Sequence, residues 1–228
     1  MRFVKTITGV VGTAAIPAAI ALSALTFTAP AEASEPFIGK QAGDFMIRAR
    51  GILVEPDEDA SVDTIGGTVD IDEQVVPEVD FSYFITDHIA LELIAAVTPH
   101  DVTATNTSLG NVDLGDVLLL PPTLTVQYHM LPEKRFSPYV GAGINATFFI
   151  DDDVPSGGAV TDIDYDPSVG FALQAGVDYF INDNMLLNFD IKKVFINTDV
   201  DISTTLGPIS ADVDIDPWII GVGVGWKF

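Results

Sequence analysis

The sequence predicts an all-β chain folded as an eight-stranded antiparallel up-and-down transmembrane β-barrel. Three observations predict it. Apolar and polar or small residues alternate with period two in eight separate stretches, the spacing that places side chains on opposite faces of a strand. Short and long connections alternate between those stretches. The non-apolar face is crowded with glycines and charges of both signs, as a narrow interior requires.

The chain opens on Met1, Arg2 and Lys5, then an apolar run from Ile7 to about Phe27, then "APAEAS" with Ala31 and Ala33 as an A-x-A site. This is the pattern of a secretory signal peptide spanning 1–33, which leaves 34–228 as the barrel. Cleavage removes Arg2, Lys5 and Glu32, so ten basic and thirty-three acidic residues become eight and thirty-two. That balance excludes a basic groove for nucleic acid. The absence of cysteine excludes disulfides, thiolate metal sites and a cysteine nucleophile. With 48% hydrophobic residues beside a formal charge of -23, charge and apolar surface must occupy different places.

The stretches follow in order. "FMIRARGILV" sets Phe45, Ile47, Ala49 and Leu53 against Arg48 and Arg50. "VVPEVDFSYFI" sets Val75, Val79, Phe81, Tyr83 and Ile85 against Glu78, Asp80 and Ser82, and "IALELIAAV" sets Ile89, Leu91, Leu93 and Val97 against Glu92. "LLLPPTLTVQYHM" separates Leu124, Val126 and Tyr128 from Thr123, Thr125, Gln127 and His129. "YVGAGINATFFI" separates Val140, Ile144 and Phe148 from Gly141, Gly143 and Asn145. "VGFALQAGVDYFI" separates Phe171, Leu173 and Tyr179 from Gln174, Gly176 and Asp178. "MLLNFDIKKVF" separates Leu187, Phe189 and Ile191 from Asn188, Asp190 and Lys192. "WIIGVGVGWKF" ends the chain with Val222, Val224, Trp226 and Phe228 on one face and Gly221, Gly223, Gly225 and Lys227 on the other.

Each stretch is long enough for a tilted strand to cross a bilayer. Three connections are short (86–88, 131–136 and 182–184) and four are read as long loops (55–74, 99–116, 151–167 and 197–216). Aromatics gather where the short turns meet the apolar band: Phe45, Tyr83, Tyr128, Tyr179, Trp226 and Phe228. They read as an interfacial girdle. A soluble sandwich would bury the apolar faces against each other, but then the glycine-rich faces with their charges would have no reason to be small.

Several of these segments, among them "VPEVDFSYFITDHIALELIAAVTPHDV", "PYVGAGINATFF" and "IDPWIIGVGVGWKF", together resemble the OmpW family of small outer-membrane proteins from about Ala42 to Phe228. The resemblance implies the outer membrane of a Gram-negative bacterium and a narrow, partly hydrophobic channel for small hydrophobic molecules. It also implies contact with outer-membrane lipid and lipopolysaccharide, and recognition of Phe228 by the barrel assembly machinery. The acidic loops look longer here than the family pattern.

With the first strand running up and the second down, Arg48 and Arg50 sit at mid-depth near Glu78 and Asp80, and counting through the short turns sets Ser82 opposite Glu92, and Lys192 opposite Gln174 with Asp190 two residues along. Arg48, Arg50, Glu78, Asp80, Glu92, Gln174, Asp190 and Lys192 are the expected polar constriction, read either as a structural plug or as a gate. Above them Ile52, Val54, Val76, Ile94, Leu119, Pro121 and Ile219 are expected to line an apolar vestibule for a small hydrophobic ligand. Pro121 and Pro122 either weaken the strand pairing, giving a sideways exit, or mark a bend. The loop aspartates read as solvated and repulsive or as loose calcium ligands, none with EF-hand spacing. No metal site, cofactor or catalytic residue is expected, since His100 beside Asp101 is the lone histidine on the long-loop side and no nucleophile motif accompanies it. The alternative function is a structural, adhesive or receptor barrel with a plugged lumen and its role in the acidic loops.

Overall fold

A computed structural model describes residues 37–62, 67–107, 110–153, 160–205 and 207–228. The expected signal peptide and its cleavage site lie outside these residues. Every regular element among them is a strand. Eight strands form the barrel: β1 (Phe45–Glu55), β4 (Gln74–Phe84), β5 (Ile89–Ala96), β8 (Thr123–His129), β9 (Phe136–Asp153), β11 (Ser168–Phe180), β12 (Met185–Val194) and β15 (Trp218–Lys227). Neighbours in sequence order pair antiparallel, and β15 returns to β1 with Met46 opposite Lys227 and Glu55 opposite Trp218. Closure leaves no open edge, the condition for a sheet in hydrocarbon.

The alternation decides which face meets lipid. Val222 is 59% exposed and Phe171 70%, whereas Arg48 is 0%. A belt of apolar side chains this exposed has no place against water and fits a bilayer. The glycines of the other face make room. A Cβ on Gly223 would stand 2.7 Å from the Arg50 Cα, and one on Gly225 would stand 2.7 Å from the Arg48 Cγ. The last strand runs glycine at every second position because two arginines lie directly against it.

The long connections are not loops. Seven further strands extend the hairpins: β2 (Asp59–Val62), β3 (Thr68–Ile71), β6 (Thr98–Thr107), β7 (Gly110–Leu120), β10 (Val160–Tyr165), β13 (Asn197–Thr204) and β14 (Gly207–Asp214). They form a collar of two walls, β10-β13-β14-β2 and β3-β6-β7-β9. The acidic runs keep period two here. Asp199, Asp201, Asp212 and Asp214 face out, while Val200, Ile202, Ala211 and Val213 are buried inside. Charge density hid the strands, because Asp is a poor strand former on propensity alone. The buried apolar partner of each aspartate supplies the reason to pair.

The outward face is electrostatically strained. Asp164 pairs directly with Asp201, Asp199 with Asp212, and Asp101 with Asp116. Like charges directly opposite oppose pairing. A hydrogen bond to the Asp116 carboxyl, together with its charge, raises Asp101 above the usual carboxylate range. The folded collar therefore holds that proton more tightly than the unfolded chain, so its contribution is full below pH 3.8 and is lost as pH rises through the raised value. Amide exchange in 101–116 and 199–214 is expected to slow when ionic strength rises from about 10 mM to about 150 mM, where the screening length falls from roughly 30 to 8 Å. After correction for intrinsic rates, it is also expected to slow in 101–116 as pH falls from 7 to 4. The barrel strands should not respond to salt.

Candidate functional site

The lumen is layered along its axis. At the short-turn end, residues 37–40 enter the barrel. Phe37 packs on an apolar disc of Met46, Phe84, Ala90, Phe180 and Leu186. Lys40 follows it in and is buried, donating to Asp178 at 2.7 Å and Ser137 at 3.0 Å, with its Nζ 2.7 Å from the Nδ1 of His129. Lys227 clamps the segment from below by donating to the Gly39 carbonyl at 2.7 Å.

Above the disc lies the ion layer. Arg48 Nε donates to Asp80 at 2.8 Å, its Nη2 donates to Ser82 at 3.0 Å and to Glu92, and its Nη1 faces Asp178 across the lumen at 3.5 Å. Arg50 sits 2.6 Å from Asp80, 2.8 Å from Glu78 and 3.7 Å from Asp190, and it donates to Asn188 at 3.1 Å. Lys192 bridges Glu78 at 2.8 Å and Asp190 at 3.0 Å. Gln174 donates to Asp190 at 2.9 Å. Tyr139 fills the space beside these groups, with its hydroxyl on Asp190 at 2.7 Å and its ring 5.3 Å from the Arg48 guanidinium carbon. Gly176 is the reason it fits, since a Cβ there would come within 2.5 Å of the Tyr139 ring.

All eight residues expected in the polar constriction therefore fall in one buried cluster, with Arg48 opposite Asp80, Ser82 opposite Glu92 and Gln174 opposite Lys192. Lys40, Asp178, Asn188 and Tyr139 complete it and were not singled out from the sequence. Strand parity could have found three of them, because Tyr139 precedes Gly141 by two and Asp178 and Asn188 share the inward face. Lys40 carried no such signal, since it belongs to no strand.

The lumen then turns apolar. Ile52, Val54, Ile94, Leu119, Pro121 and Ile219 line a chamber of about 40 Å³ floored by the Glu78–Lys192 pair. Val76 is buried in the same apolar cluster but is not in the chamber wall. Above it the collar encloses a second chamber of about 230 Å³, walled by residues such as Val102, Leu114, Val117, Val200, Ile202 and Val213. Sequence reasoning missed this upper chamber because its walls were read as loops. His100 lines both chambers and donates through Nδ1 to the Asp72 carbonyl at 2.9 Å. Burial holds its ring below the usual histidine range, so it is neutral near pH 7. Asp101 lies on the opposite face of the strand, so the two cannot act as a dyad. Among the described residues no group of three or more histidines and carboxylates is placed to hold a metal ion.

The side wall carries one interruption. The ladder between β5 and β8 ends at Ile94 opposite Thr123, and pairing resumes at Thr98 opposite Leu119. The gap contains Pro121 and Pro122, which have no N–H to donate. On its other side Pro122 is tied to β9 by the Ala146 amide at 3.0 Å.

A closed eight-stranded barrel with an apolar belt, aromatic ends and a filled lumen defines the class as a bacterial outer-membrane β-barrel. A model described as the OmpW family matches residues 41–228, and the chain belongs to that family. It is 39% identical over 225 residues to the uncharacterized outer-membrane protein y4mB of Sinorhizobium fredii, covering 97% of this chain and 95% of that protein. It is 27% identical over 165 residues to the dibenzothiophene metabolism operon protein PahQ of Pseudomonas aeruginosa, covering 72% of this chain and 76% of that protein. The crystal structure of the outer membrane protein OprG from Pseudomonas aeruginosa superposes with a TM-score of 0.78 at 32% identity, covering 83% of this chain and 98% of OprG. Outer-membrane barrels keep their short turns in the periplasm and their long connections outside, which sets the collar on the outer side.

Replacing Arg48 by Met would leave Asp80, Glu92 and Asp178 short of a cation in a dry lumen. The expected cost is about 3–5 kcal/mol, the range for removing one partner of a buried ion cluster. Urea unfolding in lipid bilayers measures it. Adding Asp80→Asn to Arg48→Met should recover part of the loss, because the two sites are coupled.

Proposed function

We propose that this chain takes up small hydrophobic molecules from outside the cell through its collar and releases them sideways into the outer membrane. One observation carries the reading: two apolar chambers stand in line above a floor of paired, fully buried ions. Water-filled porins line their lumens with polar groups. An apolar molecule entering here gains transfer free energy in the chambers and meets at the floor a layer it cannot cross without stranding charges. The interrupted ladder at Pro121 and Pro122 supports a lateral exit, since fewer backbone bonds must open there. PahQ, a relative named for a dibenzothiophene metabolism operon, is consistent with an apolar cargo.

Delivery belongs to the same reading. Residues 1–33 are removed as a signal peptide, and the exposed terminal Phe228 offers its ring to the barrel assembly machinery. The acidic outer face of the collar favours one alternative, a structural, adhesive or receptor role with a permanently closed lumen and lipopolysaccharide as neighbour through divalent ions.

Cells carrying the gene are expected to accumulate radiolabelled toluene faster than cells lacking it. Leu119→Asp, which sets a charge in the lower chamber, should remove most of that difference. The variant's unboiled protein should still migrate as a folded barrel on a denaturing gel. Equal uptake with and without the gene would favour the structural or adhesive role.

A further inference from the structure

The upper chamber is nearly all apolar, whereas the lower one carries Glu78 and Lys192 at its floor and Thr98, Thr123 and Asn145 in its wall. His100 is 4% exposed and belongs to the walls of both, so its ring stands at the neck where they meet. Its hydrogen bonding fixes its chemistry. A main-chain carbonyl can only accept, so the contact with Asp72 makes Nδ1 the protonated nitrogen. In the neutral ring Nε2 is then a bare lone pair, and among the described residues no donor reaches it. The other polar side chains of the upper chamber are Thr198, Thr204 and Tyr165. Thr198 donates to the Asp166 carbonyl at 2.7 Å and Thr204 to the Gly207 carbonyl at 2.7 Å, while the Tyr165 ring stacks on Phe149 at 5.1 Å.

A buried acceptor in an apolar pocket calls for a ligand that brings a donor, because an unmatched polar group in such a site costs binding free energy. The donor must be uncharged. A cation would lose its hydration in the upper chamber, whose walls offer no carboxylate, and the one carboxylate of the lower chamber, Glu78, is already paired with Lys192. A ligand carboxylate would approach through a collar faced with aspartates on a chain of formal charge -23. Size narrows the class further. An apolar cavity of about 150 Å³ holds benzene, and the upper chamber of about 230 Å³ leaves room for a substituted ring.

We infer that the chambers select neutral, hydroxyl-bearing apolar molecules of the phenol class, with the ligand hydroxyl donating to Nε2 of His100. The inference rests on the chambers being a ligand path and adds to that reading a specificity-determining residue. His100 then sorts cargo. A plain hydrocarbon gains only burial, whereas a phenol gains burial and one hydrogen bond.

The test uses the full mature chain in lipid nanodiscs, without detergent that would compete for the chambers. Two probes of similar shape are p-cresol, un-ionised at pH 7 because a phenol titrates near 10, and toluene. Affinity is read from methyl shifts of Val102, Leu114, Val200 and Ile202, and the bond itself from the ¹⁵N shift of His100 Nε2. p-Cresol is expected to move the Nε2 resonance and toluene to leave it in place. His100→Leu should weaken p-cresol about fivefold, the equivalent of one neutral hydrogen bond, while toluene affinity stays within twofold. His100→Gln, which keeps a donor for Asp72 and an acceptor for the ligand, should retain more of the p-cresol affinity than His100→Leu. An unmoved Nε2 resonance with p-cresol bound, or equal p-cresol affinity in wild type and His100→Leu, overturns the inference and leaves hydrocarbon uptake standing. Methyl shifts that respond to neither probe overturn both.

Discussion

Arg48 and Arg50 lie side by side in a lumen too narrow for water-filled space, and the rest of the barrel is arranged around satisfying them. Isolated ions in such a place would cost many kcal/mol. Here the guanidinium groups on β1 reach Asp80 and Glu78 on the neighbouring strand, Glu92 one strand further, Asn188 and Asp190 two strands away on the other side, and Asp178 across the lumen. The network ties opposite walls together. Its glycines follow from the same demand, since Gly223, Gly225 and Gly176 are the positions where a single methyl group would collide with Arg50, Arg48 or Tyr139. A buried ion cluster is weak evidence for net stability. Its consequence is architectural: it separates the side-chain-packed short-turn end of the lumen from the apolar chambers at the collar end.

That division explains how so acidic a chain can be so hydrophobic. In the membrane zone the barrel turns apolar residues outward and ions inward. In the collar the same strands invert the arrangement, with aspartates outward to water and Val200, Ile202 and Val213 inward. The period of two carries on into the collar, broken by bulges such as those at 102/103 and 160/162, while the solvent outside changes. The inversion gives one continuous apolar interior from Ile52 to the collar, bounded below by the Glu78–Lys192 pair.

Most of the barrel was legible because register is a matter of parity. Once the short turns were placed, Ser82 opposite Glu92 and Lys192 opposite Gln174 followed from counting. The collar was illegible for a physical reason. Runs such as "TDVDIS" and "ADVDID" look solvated when scored by charge, and only the buried partner of each aspartate marks them as strands. Lys40 was illegible for another. Its role depends on a chain segment folding back into the barrel end beside Pro132 and Asp178, a long-range contact that no local pattern encodes. Within the lumen, Ile52, Ile94 and Leu119 line one small chamber, and the larger chamber above them could not be seen until the collar was known to be sheet.

The central claim is that the ion layer closes the lumen between the apolar chambers and the periplasm. Single-channel recording of the wild-type protein in planar lipid bilayers tests it most directly. The closed floor predicts no steady current, with at most small and brief openings. A stable conductance at the level of a water-filled porin would contradict it.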